Sequence, residues 1–207
     1  MKKGIKLVCS AFLSAVLLSS CYISKESEMP KTITVSGSGV VSVSPDTATV
    51  DFSVVTTGWS AKQIVTDNNA LSNKLTEAVT AVGVSASDIS IGDCGLSNPG
   101  SQYEARRTVR ITVRNISLVS AVVDCKTGPN MRVTKVEYSL SDSASVMRRA
   151  RTSAIQQTQD AASLLAGASG SKIGEVTSIL EEKSEVKTGA DGKINVVSDV
   201  KVSYSIQ

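Results

Sequence analysis

No histidine occurs anywhere in the 207 residues, and that single absence removes much of enzymology. Without imidazole there is no Ser-His-Asp triad, no histidine-ligated zinc and no ordinary general base poised near neutral pH. Aromatics make up only 3% of the chain, with Phe12 and Phe52 the two phenylalanines and Trp59 the one tryptophan. Platforms on which bases or sugars stack are therefore not expected. Calcium loops need several closely spaced oxygen ligands, and no D-x-[DN]-x-[DN]-G run exists. Asp46, Asp88 and Asp93 stand in turns or ahead of strands, which are ordinary structural places for Asp. We expect no catalytic residue, no metal and no cofactor.

Long hydrophobic runs are missing too. The apolar stretch from Leu7 to Leu18 is broken by Cys9, Ser10 and Ser14 and is too short to cross a bilayer as a mature helix. Lys2, Lys3 and Lys6 precede it, which is the layout of an export signal over residues 1–20. Leu18-Ser19-Ser20-Cys21 then resembles a bacterial lipobox. On that reading cleavage falls between Ser20 and Cys21, and Cys21 becomes an acylated N-terminus. Acyl chains bury at roughly 0.8 kcal/mol per CH₂, so two or three of them anchor a protein durably. Tyr22 follows rather than Asp, so there is no inner-membrane retention signal of the Asp type, which favours the outer membrane over the inner.

Charge of one sign is also lacking once the leader is set aside. Three of the 22 basic residues lie in residues 1–20 and none of the 19 acids does, which leaves 19 of each beyond the leader. A neutral chain has no broad positive field to draw nucleic acid, so none is expected as a partner. Beyond Cys21 only Cys94 and Cys125 remain. A bridge between them would close a loop of about 30 residues and add roughly 3–4 kcal/mol. Two separate buried thiols are the other reading, and sequence leaves both open.

Tyr22 to Lys31 is polar and carries Pro30, which reads as a tether. One domain follows, residues 32–207. Ile33, Val35, Gly37, Gly39, Val41 and Val43 share one face of a first strand. Beyond the Pro45-Asp46 turn, Ala48, Val50, Phe52 and Val54 share a face of a second. Gly37-x-Gly39 has no helix start behind it, so a bulge or a close helix contact is expected rather than phosphate binding. Ser60-Ala-Lys-Gln63 is a capping box for a helix with Ile64, Leu71, Leu75, Ala78 and Val82 inward and Gly83 as its stop. Trp59 just before it is expected to be a staple or edge-of-core residue.

Strands are expected around Ile89–Ile91 and over Val109, Ile111 and Val113, followed by a short helix at Leu118–Val123. A strand carrying Val136, Tyr138 and Leu140 inward comes next, then an alanine-rich helix from about Ser143 to Ala166 with Ala150, Ala154, Ala161 and Leu165 on its buried face. Val176–Leu180 and a final strand through Val196–Ile206 flank the Gly189–Gly192 turn. The order is ββα ββα β α ββ. This is an α+β arrangement, a mostly antiparallel sheet with helices packed on one face.

Taken in this order, the segments resemble the SIMPL domain. The resemblance runs through Ile33–Gly58, the capped helix, Val82–Ile89, Tyr103, Val109–Arg114, Val136–Asp142, the alanine-rich helix and Val200–Tyr204. It implies a bacterial periplasmic or envelope protein with no agreed catalytic residues. It also implies kinship with proteins that assemble into ring-like oligomers. Family members often carry a longer Pro- or Gly-rich insertion where this chain has only Glu182–Lys193.

Arg106, Arg110 and Arg114 fall on one strand face, beside Arg107. Such a row could receive an anionic partner, lipid headgroup or phosphate. The reading we favour is a solvated face balanced by cross-strand acids such as Asp51 and Glu137. The expected function is a lipid-anchored envelope protein facing the periplasm. It is held to the membrane by acyl chains on Cys21 and acts through a homo-oligomer or an envelope protein partner, without catalysis. The alternative is an anion or small-ligand module built on the arginine face.

Overall fold

The computed structural model describes residues 31–207. The leader, the Ser20/Cys21 cleavage and acylation site and most of the tether lie outside the described residues.

β-branched alternation sets the two opening strands, β1 (Thr32–Val43) and β2 (Thr47–Gly58). Ser60 caps α1 (Ala61–Ala81) by accepting the Gln63 N–H, and Gly83 ends it at φ +103°. Two short strands, β3 (Ile89–Ile91) and β4 (Gly95–Ser97), lead to β5 (Tyr103–Val113). A one-turn 3₁₀ helix opens α2 (Val119–Asp124), and β6 (Met131–Ser139) follows. Asp142 caps α3 (Ser143–Ala168), and the chain closes with the hairpin β7 (Ile173–Thr188) and β8 (Ile194–Ile206).

The α+β class is as the sequence implies and the element order nearly so, with β4 an added strand between α1 and α2, but the strands form two sheets rather than one. All pairs are antiparallel: β1-β8-β7 in the first sheet, and β3-β5-β2-β6 in the second, with β4 beside β5. Each sheet has its own helix and core. Around Phe52, the second sheet packs Val50, Val54, Val109, Ile111 and Val113 against Leu75 and Val79 of α1 and Val122 of α2. The first sheet packs Val35, Val200, Val202 and Tyr204 against Ala154 and Ala162 of α3. The chain passes between the sheets at 44–46 and 140–142. There the Asp46 carboxylate accepts the Ser141 N–H at 2.7 Å and the Ser141 hydroxyl at 2.6 Å.

The contact of β1 with α3 is unusually close. A β-carbon on Gly37 would overlap the Ala154 carbonyl, and one on Gly39 the Ala150 carbonyl. This is the close helix contact, not the bulge. Only small residues fit the seam, and the buried helix positions are Ala150, Ala154, Thr158, Ala162 and Ala166. Leu165, expected inside, is too large for it and is exposed instead.

Three other expectations change. Trp59 is not a staple: it is 72% exposed. On α1 the inward positions include Asn68, Ser72 and Val79. Asn68 is tolerated because its amide donates to the Val54 and Ala105 carbonyls at 3.1 and 3.2 Å. On β6 the register slips where Asp51 and Phe52 face it, and Val136 and Tyr138 beyond the slip are exposed on that edge strand.

Candidate functional site

Strand alternation carries Arg106, Arg110 and Arg114 to the face of β5 turned away from α1. Each guanidinium has a carboxylate. Arg110 holds Asp51 of β2 through two bonds, Nε at 2.8 Å and an η nitrogen at 2.9 Å. Arg114 grips Asp88 at 2.7–3.0 Å, and Arg106 takes Glu104 on its own strand at 2.9 Å. The row is brought together but neutralised within the fold. Asp51 sits on the central strand beneath the arginine stems and is only 6% exposed. The Arg110 hydrogen bonds hold its carboxyl below the usual range against the opposing effect of burial, and Lys135 adds a smaller attraction. Asp88 is lowered in the same way by Arg114. Glu137, the other expected acid, pairs with Lys135 on β6 instead.

Arg107 stands apart from the row. Alternation puts it on the α1 side of β5, half-buried, with an Nε that has no partner. The Asn68 Oδ1 is likewise unpartnered.

Cys94 lies between β3 and β4, Cys125 at the end of α2, and both are free thiols. The Cys94–Cys125 bridge is not formed. The Cys125 thiol donates to the Ala121 carbonyl at 3.3 Å within its own helix, and burial, with Asp124 adding to it, pushes its pKa up. Among the described residues no group of three or more Cys, Asp or Glu side chains could hold a metal ion. No helix among them is long and apolar enough to cross a membrane.

A second surface has no counterpart in the sequence reading. β7 runs for 16 residues, where only Val176–Leu180 was expected, and it pairs with β8 alone. α3 lies over β1 and β8 and meets β7 mainly through Arg151–Glu181 at 2.9 Å and Met147 beside Ser184. Pairing with β8 places Val176, Ile179 and Val186 on the helix side of β7, where no helix covers them. Ile179 is 57% exposed, Leu180 on the opposite face is exposed too, and Ile155 lies exposed one helical turn beyond Arg151. This is an apolar flank with a free strand edge beside it. Five charged residues between Glu181 and Lys187 mask it in the sequence, because they erase the alternation that marks a half-buried strand.

Two antiparallel sheets, each backed by helices and joined at two crossings, define an α+β domain. The chain belongs to the SIMPL family, whose model, described as a protein of unknown function (DUF541), matches residues 33–204. No curated protein matches the chain.

Proposed function

We propose that this protein is a lipid-anchored component of the bacterial envelope that works by protein contact, associating with further copies of itself through the β7 flank, and that it performs no catalysis. The observation that carries the reading is the 16-residue edge strand whose apolar residues α3 leaves uncovered. A second copy suits that edge by charge. Lys183 and Glu185 share the face of β7 away from α3. Within one chain Glu185 already pairs with Lys183 and Lys187, and when β7 pairs antiparallel with itself about Ser184 these charges are shared across the seam, Lys183 of each copy facing Glu185 of the other. The flanking charges and the irregular pairing with β8 discourage other strands from adding there, so the register is selective.

Anchoring is supported by the Lys-rich leader and the Leu18–Cys21 lipobox. The periplasmic side follows from the same leader together with the envelope location that the family resemblance implies. The arginine face offers less to an anionic ligand, because Arg106, Arg110 and Arg114 would each have to give up a carboxylate first.

Charge exchange tests the association. Lys183→Glu alone sets like charges opposite each other and should shift the mass in solution toward monomer. Lys183→Glu combined with Glu185→Lys restores the pairing and should restore the assembly. If both variants associate like the parent, β7 is not the interface.

A further inference from the structure

The chain before the described residues joins the domain at Lys31, and the backbone there leads directly to the end of α3. The Ile206 N–H donates to the Lys31 carbonyl at 2.9 Å. Gln207 and Lys172 exchange two backbone hydrogen bonds at 2.9 Å, and the Ser171 N–H donates to the Ala166 carbonyl at 2.9 Å. The tether junction, the end of β8 and the last turn of α3 therefore meet at one end of the first sheet.

That end is apolar where a helix terminus would ordinarily be polar. Leu164 is 75% exposed, the most exposed of the large apolar side chains described, and Leu165 is 52% exposed. Adjacent helical positions point about 100° apart, so the pair makes the helix end apolar on two sides. Lys31 and Lys172 are exposed at the same end, and the exposed acids nearest it in sequence are Asp160, one turn before Leu164 on α3, and Glu175 on β7.

We propose that this end is a membrane-contact surface: Leu164 and Leu165 enter the interfacial layer of the bilayer, and Lys31 and Lys172 meet lipid phosphates. The proposal rests on the acyl anchor at Cys21. Lys31 is ten positions after Cys21, a length of chain that spans at most about 35 Å fully extended and roughly 17 Å at coil dimensions. At that range the contact is intramolecular in effect, so two leucines and two lysines too weak to recruit a free protein suffice to orient a tethered one.

The test uses the full chain purified with its acyl groups and reconstituted into vesicles of phosphatidylethanolamine and phosphatidylglycerol. Trp59→Phe removes the only tryptophan, an exposed one, and Leu164→Trp places a reporter at the helix end. The expected result is emission shifted to the blue and quenched by brominated lipid. Val40→Trp in the same background sits at an exposed site near the far end of β1 and should emit as in water. If the protein floats with the vesicles while the Leu164→Trp reporter also emits as in water, the contact is wrong and the anchor stands. If the protein does not float, the anchor is wrong and the contact falls with it.

Discussion

Gly39 of β1 lies directly against the backbone carbonyl of Ala150 in α3, with no room for a β-carbon between them. Backbone cannot retreat as a flexible side chain can, so Gly39→Ala forces α3 off the sheet and should cost about 1–3 kcal/mol, read as a lower urea midpoint. Gly100→Ala is the matched control. Its added methyl meets nothing within 4 Å, and its stability should stay within about 0.5 kcal/mol of the parent.

Asn68 is fully buried on α1 and ties the helix to two strands through the Val54 and Ala105 carbonyls. Asn68→Ala leaves both carbonyls with one partner fewer and opens a small void. We expect a loss of about 1–3 kcal/mol in denaturant titrations.

Acid should weaken the fold through its paired carboxylates. Asp51 and Asp88 are held below their ordinary values by Arg110 and Arg114, and Glu181 by Arg151 and Ser198. A carboxylate lowered in the fold binds protons more readily when unfolded. Its contribution is therefore complete above the unfolded value, about pH 4, and is lost as pH falls below it. Urea midpoints should be flat from pH 7 to about pH 5 and then drop. Asp51→Asn should be less stable at pH 7 and lose less on acidification, because it has no charge left to neutralise.

The anchor makes its own prediction. Cells fed a labelled fatty acid should mark the parent chain and not the Cys21→Ser variant, which should also leave the membrane fraction. A Cys21→Ser chain that still takes up label would contradict the lipobox reading.

Much of the fold was legible because its central strands are simple. Val35 to Val43, Val50 to Val54 and Val196 to Tyr204 alternate cleanly, and Ser60 and Gly83 bracket α1. Partition into two sheets was not legible. Alternation reports which face is buried, not which strand is the neighbour, and β1 and β2 read like a hairpin although they lie in different sheets. The cross-strand acid Asp51 was visible beside the arginine row, whereas Asp88 became a partner only through the position of β3 against β5. The β7 flank was hidden because an edge strand with charged and uncovered apolar residues on both faces has no clear period. Leu165 was misplaced because helical spacing alone cannot sense how close Gly37 and Gly39 let α3 come.

Association through β7 is decided by the mass in solution of the chain from Tyr22 onward, measured by size exclusion with light scattering beside Ile179→Asp. The parent should form a discrete assembly of two or more copies, and the variant should be a folded monomer. A parent that is cleanly monomeric at every concentration would mean that β7 is not an interface between copies.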